Sequence, residues 1–310
     1  MPATHPATDV SSVEVKDLEV FADRLDVQRC AEIYAEHGCL VVRGLLRPYL
    51  AELQRDIEAA ARQAVALLKD AKKVKEGWST PDGTLFLPAP KGYHRDKQIM
   101  VLAVGYRTSA AFFRAAFDEK TVAIAEAILG PDLELYSQGQ CLYKEPVGGH
   151  PKMLHQDASY FEHRYEGPVG ALSYIVDTDL TNGALHVVPG SHKLGMLKHV
   201  DTFSHLGLEE EEWPWERALP ILGKAGDTIF FHVKTIHGSK ENYSDKPRPV
   251  IINRYRSVED YVVVSATTKA SREAAEKKEQ AKTKPAEQYG LMVRGYRTYR
   301  EPAAEGSPSA

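Results

Sequence analysis

Between Leu133 and Ser257 the chain is a succession of short runs, LELYSQGQCLY, VGALSYIVD, GALHVVPG, GDTIFFHV and RPVIINRYRS, each followed or preceded by turn-forming residues. Runs this short, rich in β-branched and aromatic residues, suit strands rather than helices. Many short strands after a helical stretch must bury their apolar faces on one another, which predicts an all-β barrel or sandwich with helices packed outside. Asn182-Gly183, lying between two of the runs, predicts a hairpin turn.

The residues before Leu133 read differently. A helix is predicted over 25–37, ending at Gly38, a favoured C-cap residue. CLVVRGLL suits a buried strand. Pro48 opens a helix predicted to run to about Val74, with Leu50, Leu53, Ile57, Ala60, Ala61 and Ala64 on one face. Residues 75–96 read as a loop, and 109–129 as one amphipathic helix stopped by Gly130-Pro131. The expected organisation is a single domain over 13–301. It has a helical preface at 13–130, a β core at 131–260, and a charged segment with a closing element at 261–301. Residues 267–285 read as a solvated helix or a flexible segment, and 1–12 and 302–310 as disordered.

A chain of 310 residues with 43% hydrophobic content can bury one sizeable core. Its net charge of -4, without a basic stripe, argues against a nucleic-acid surface. No run of 18 apolar residues is present to span a membrane. The start, MPATHPATDVSS, has neither the basic nor the apolar region of a secretory signal. Cys30, Cys39 and Cys141 are far apart and odd in number, which points to reduced thiols in a cytoplasmic protein.

Chemistry is concentrated in LHQD at 154–157. Residues two apart on extended backbone point to the same side, so His155 and Asp157 can present an imidazole and a carboxylate to one point. One further imidazole would complete a two-His-one-carboxylate face, with open positions for a bidentate 2-oxo acid and for O2. His-x-Asp by itself is a weak signal, and a second copy, His199-Val-Asp201, occurs in a polar stretch with no strand to aim it inward. The third ligand is sought in GDTIFFHVKTIHGSKENYSDKPR, where His237 and Ser239 can share a face. His232 is an odd number of residues from His237 and reads as a packed strand histidine. Arg248 opens the last strand, and its planar fork suits a carboxylate. Arg254, an even number of residues later, reads as a salt-bridge former. The cluster Tyr160, Phe161, His163 and Tyr165 reads equally well as pocket lining or packing. Glu209–Glu212 reads as a solvated loop.

LHQDASYF at 154–161, NGALHVVPGSHK at 182–193 and GDTIFFHVKTIHGS at 226–239, with an arginine eleven residues after the last histidine, resemble the phytanoyl-CoA dioxygenase family. The likeness is strongest over 130–257. It implies a double-stranded β-helix (jelly-roll, cupin-like) core, Fe(II), 2-oxoglutarate and O2, and hydroxylation of an unactivated carbon of a small metabolite or acyl-CoA. Carried over by residue, it implies His155, Asp157 and His237 as iron ligands. It also implies Arg248 and Ser239 on the distal carboxylate of 2-oxoglutarate. Gln140 and Leu172 fall at two further cosubstrate positions, where the family often has Met and Trp. An upstream lysine contact has Lys97 as its nearest candidate, and His192 in the PGSH loop is expected to be structural. Desaturation, epoxidation or cyclisation at the same iron stays open, as does a non-catalytic cupin-like binding protein. A zinc hydrolase is disfavoured because no HExxH motif is present.

Overall fold

A computed structural model of the protein describes residues 13–74, 77–136, 139–202, 205–262 and 289–297. The two termini and the charged stretch 267–285 lie outside the described residues. The preface begins with α1 (Val15–Leu18), β1 (Glu19–Phe21), α2 (Val27–His37), β2 (Cys39–Arg43) and α3 (Leu50–Leu67). The Asp26 carboxylate caps α2, and Gly38 ends it with φ 68°, a left-handed conformation that glycine adopts freely. α3 stops at Leu67, followed by one 3-10 turn to Asp70, short of the expected Val74. Its successors Lys72 and Lys73 instead form β3 (Lys72–Lys73), which pairs with β4 (Trp78–Ser79).

The expected loop at 75–96 is largely sheet. β4 pairs with β5 (Leu85–Pro88), and β5 with β6 (Lys97–Leu102). The Pro81-Asp82-Gly83 residues that read as loop punctuation make the turn between β4 and β5. There Thr80 donates its N–H to Thr84 O at 3.0 Å, and Thr84 N–H reaches Asp82 Oδ1 at 3.1 Å. The expected helix at 109–129 is two, α4 (Ala110–Ala116) and α5 (Glu119–Leu129), because Asp118 leaves the helix to cap the second one through Thr121 N–H. The apolar periodicity continues through the break and so conceals it.

From here the chain crosses repeatedly between two sheets. β7 (Leu133–Leu135) lies at the side, followed by β8 (Gln140–Lys144), β9 (Lys152–His155), β10 (Val169–Tyr174) and β11 (Leu185–Val187). A small pair, β12 (Val200–Asp201) and β13 (Leu206–Gly207), precedes β14 (Leu219–Ile221), β15 (Thr228–His232), β16 (His237–Ser239) and β17 (Arg248–Ser257). β8, β17, β10 and β15 are consecutive in the larger, twelve-stranded sheet, and β9, β16, β11 and β14 form the smaller. All pairs within these two sets of four are antiparallel. Successive strands thus wind between two facing sheets, the double-stranded β-helix. The preface strands extend the larger sheet at both sides, with β2 on β15 and β6 on β8.

Asn182-Gly183 does form a turn, with φ 83° at Gly183. It does not close a hairpin, because β10 and β11, the strands it joins, belong to different sheets. β10 and β15 are buried along their whole length and β17 along nearly all of it. One face lines the interior between the sheets. The other is covered by helices, as where Tyr255 donates its hydroxyl to Ala116 O at the end of α4. Two-sided burial is why these strands read as apolar runs rather than alternations. β18 (Leu291–Arg294) pairs with β7, and Gly290 N–H bonds the buried Glu134 carboxylate, which also pairs with Arg256.

Candidate metal centre

β9 ends at His155. Gln156 remains extended (φ -110°, ψ 130°), so alternation carries one residue past the strand before Asp157 enters a 3-10 turn. Gln156 points away from the interior and is pinned there. Its amide nitrogen donates to Gly195 O (2.8 Å) and Lys234 O (2.7 Å), its amide oxygen accepts from Leu197 N–H (2.8 Å), and its own N–H donates to His199 Nε2 (2.9 Å). His155 and Asp157 are thereby turned inward. His237, on β16, stands directly opposite His155 in the ladder, with ring centroids 4.4 Å apart. Asp157 Oδ1 lies 3.7 Å from His155 Nε2 and 3.9 Å from His237 Nε2. One ligand atom from each residue lies within 4.8 Å of the others, and all three residues are buried.

Their protonation suits a divalent cation. His155 Nδ1 bonds Met153 O (2.7 Å) and His237 Nδ1 bonds Thr235 O (2.9 Å). A carbonyl only accepts, so each Nδ1 carries a proton and each Nε2 is the ring nitrogen left facing Asp157. Burial pushes the His237 imidazole down to about 4, keeping it neutral. Burial disfavours the charged form of Asp157, but the Arg254 guanidinium beside it outweighs burial and holds the carboxyl below the usual carboxylate range. Two imidazole nitrogen donors and one anionic oxygen donor, with the second nitrogen of each ring anchored, fit a non-heme iron site.

Arg248 and Arg254 share the inward face of β17. Arg254 is the salt-bridge former expected of it, and its partner is Asp157 itself: Nη2 and Nε reach Oδ2 at 2.9 and 3.3 Å. Arg248 has no carboxylate partner among the described residues. Its Nη2 donates to Gly183 O (2.6 Å) and its Nε to Asn182 O (3.3 Å). Directly across the strand pair lies Lys144, buried too, donating to the carbonyls of Ser239 (3.0 Å) and Lys240. Burial, reinforced by the Arg248 charge, holds the Lys144 ammonium well below its ordinary range. Among the described residues the buried Arg248 guanidinium has no counter-charge, which makes this end of the interior receptive to an anion. Ser239 shares the strand face of His237, two residues nearer that end.

Leu172 lies on β10 between Ile229 and Ile252, in the apolar wall of the same interior. Gln140 is exposed, and its amide oxygen accepts from Arg254 Nη1 at 3.1 Å. Lys97 pairs with Asp96 and lies over the Trp78 ring, whereas Lys144 is the lysine beside Arg248. His232 is packed as expected, with Nε2 3.2 Å from Glu166 Oε2 and Nδ1 accepting from Lys234 N–H. His199 is not the surface residue a stray His-x-Asp suggests. It is buried and supports the Gln156 backbone, away from the three-residue cluster. His192 contacts Ala35 O and the His232 ring, outside the cluster. Phe161 and His163 pack on Tyr136, while Tyr160 and Tyr165 are exposed, and Glu209–Glu212 are solvated. The roles of Gln156 and Lys144 went unseen in the sequence. A non-apolar residue inside each strand segment was the only local signal for them.

The family model for phytanoyl-CoA dioxygenase (PhyH) matches residues 34–250, more than half of the chain. The chain is 25% identical over 258 residues to "Phytanoyl-CoA dioxygenase, peroxisomal" of Rattus norvegicus, covering 76% of this chain and 70% of the relative. It is 26% identical over 255 residues to "Ectoine dioxygenase" of Stutzerimonas stutzeri (strain A1501), covering 74% and 77%. Among solved structures, the epimerase SnoN from nogalamycin biosynthesis, in complex with Fe3+ and alpha ketoglutarate, superposes with a TM-score of 0.54 at 24% identity. That match covers 79% of this chain and 88% of SnoN. The carbocyclase SnoK superposes with a TM-score of 0.56 at 18% identity, covering 83% and 93%; both share the fold. With a matching family model over this fold, the chain belongs to the phytanoyl-CoA dioxygenase family of Fe(II)- and 2-oxoglutarate-dependent oxygenases.

Proposed function

We propose that His155, Asp157 and His237 hold Fe(II), that Arg248 and Ser239 bind the distal carboxylate of 2-oxoglutarate, and that the enzyme hydroxylates an unactivated carbon of a small molecule. The observation that carries this reading is the pairing, within one interior, of a buried His-Asp-His cluster with a buried, uncompensated Arg248. Bound iron supplies the oxidising chemistry, with O2 as oxidant and 2-oxoglutarate as co-reductant that leaves as succinate and CO2. The chain's own residues bind, orient and exclude water. Arg248 offers a planar fork, and the Lys144 amine, with its N–H donors, lies beside it. Leu172, Ile229, Ile252 and Phe231 line the interior with apolar surface, which strengthens each polar contact made there. Gly170 makes room for this wall, since a side chain there would meet the Phe231 ring at 2.8 Å, and that ring packs 4.4 Å from His237.

The names of curated relatives range over phytanoyl-CoA, ectoine and hypophosphite, which supports a small-molecule substrate without choosing between a metabolite and an acyl-CoA. A cytoplasmic location is supported by three buried, unpaired cysteines. No helix among the described residues is long and apolar enough to cross a membrane. SnoN and SnoK, which share the fold, are an epimerase and a carbocyclase, and the second reading is that the same centre here abstracts hydrogen without returning a hydroxyl. The test is a succinate-release screen over acyl-CoAs, amino acids and small natural products, with mass analysis of each hit. A gain of 16 Da marks hydroxylation, a loss of 2 Da cyclisation or desaturation, and an unchanged mass, with consumption of an added reductant such as ascorbate, epimerisation. If anaerobic Fe(II) with 2-oxoglutarate gives no visible charge-transfer band, the cosubstrate reading is wrong.

A further inference from the structure

Asp157 carries two oxygens, and the fold treats them differently. Oδ1 faces the imidazoles, 3.7 and 3.9 Å from their Nε2 atoms. Oδ2 is held by two N–H groups of Arg254, at 2.9 and 3.3 Å. Arg254 is itself fixed. Its Nη1 donates to Gln140 Oε1 at 3.1 Å, and its guanidinium lies 5.3 Å from the centre of the Phe161 ring. Asp157 is its only ion-pair partner among the described residues. The opposing position on β10 is Gly170, so no β10 side chain competes for the guanidinium.

A carboxylate beside a divalent cation can approach it with one oxygen or with both. A two-His-one-carboxylate face keeps three positions available only while the carboxylate uses one. We propose that Arg254, braced by Gln140, is a positioning residue that occupies Oδ2, so that Asp157 meets the metal through Oδ1 alone and a position is preserved for the cosubstrate. The inference rests on the reading of His155, Asp157 and His237 as metal ligands. An arginine suits this task because two donors of one rigid plane converge on the same oxygen, which a lysine ammonium on a flexible stem does not reproduce. Outer partners of this kind orient the ligands of a metal site. The rival account is a salt bridge that only stabilises the fold.

The test uses full-length wild type, Arg254→Met, Arg254→Lys and Gln140→Ala, loaded anaerobically with Co(II) as the spectroscopic probe. The ligand-field spectrum is recorded before 2-oxoglutarate is added, so that direct contact of Gln140 with the cosubstrate does not enter. Fe(II) samples are then titrated with 2-oxoglutarate. Arg254→Met is expected to bind Co(II) with an altered ligand-field spectrum and ~10–100-fold more weakly, the scale typical of a lost outer partner, and to bind 2-oxoglutarate more weakly than wild type. Arg254→Lys should restore part of both readouts, and Gln140→Ala should shift the spectrum in the same direction by less. If Arg254→Met does not fold, Arg254→Lys carries both comparisons and Gln140→Ala the spectral one. Wild-type spectra in the folded variants and wild-type 2-oxoglutarate affinity in the Arg254 variants, with only melting temperatures lowered, would overturn the proposal. A wild type that binds Co(II) no better than His237→Ala would instead overturn the metal-ligand reading beneath it.

Discussion

Replacing Arg248 by Met separates cosubstrate binding from metal binding. Arg248 is 3% exposed and donates to two carbonyls, neither of which carries charge. Burial pulls its guanidinium down to about 10, and Lys144 lies across the strand pair from it. A carboxylate arriving beside it forms a charged, hydrogen-bonded pair out of water, and Arg248→Met removes that gain. Truncating one partner of such a pair costs roughly 2–5 kcal/mol, which is about 30- to several-thousand-fold in affinity. The assay is an anaerobic titration of the Fe(II) protein with 2-oxoglutarate, followed by its charge-transfer band. Thermal shift provides a second measure: at 100 times its Kd, 2-oxoglutarate stabilises wild type by about 2.7 kcal/mol. The same concentration should barely move Arg248→Met. Arg248→Lys should recover only part of the affinity, because it keeps the charge and loses the fork. An unchanged affinity in Arg248→Met would refute the assignment and turn attention to Arg254.

Further outcomes follow from the same geometry. His237→Ala should lose metal binding and turnover, whereas His232→Ala and His199→Ala keep the metal. Equal iron loss in His199→Ala, measured by metal analysis after desalting, would point to the wrong His-x-Asp. His199→Ala should still lower stability by ~1–3 kcal/mol, read by denaturant unfolding, because the buried Gln156 N–H loses its acceptor. Asp157→Ala should bind iron weakly and lose most turnover. Asp157→Glu should keep some iron yet work poorly, since a small misplacement at a reacting centre can cost ~100-fold. Near-wild-type substrate-coupled succinate formation by Asp157→Ala would remove the facial-triad reading. Burial pushes His163, His192 and His199 down to about 4 from an ordinary 6.5, so all three fold neutral. Between those values the unfolded chain binds more protons than the native one. Their stabilisation is therefore complete above about pH 6.5 and declines as the pH falls toward 4. Melting temperatures of metal-free protein that stay level from pH 7 to 5 would contradict this.

Local pattern carried much of this protein into view. The short apolar runs from Leu133 to Ser257 announced a strand-rich body, because two-sided burial demands apolar residues whichever way a side chain points. His155 and Asp157 could be paired on paper because alternation on extended backbone is a local rule, and Gln156 obeys it even beyond the end of β9. The helix break at Asp118 and the strand pairing of Lys72 with Ser79 were hidden, since each depends on a competing partner rather than on periodicity. The turn at Asn182-Gly183 was visible, but not that it joins two different sheets. Antiparallel register alone set His237 opposite His155 and Lys144 opposite Arg248. Tertiary packing alone brought Arg254 to Asp157, 97 residues away in the chain. Strand alternation told which face each of these residues would occupy. Only the folding of one sheet over the other decided which faces would meet, because that choice belongs to contacts between segments that no local sequence pattern encodes.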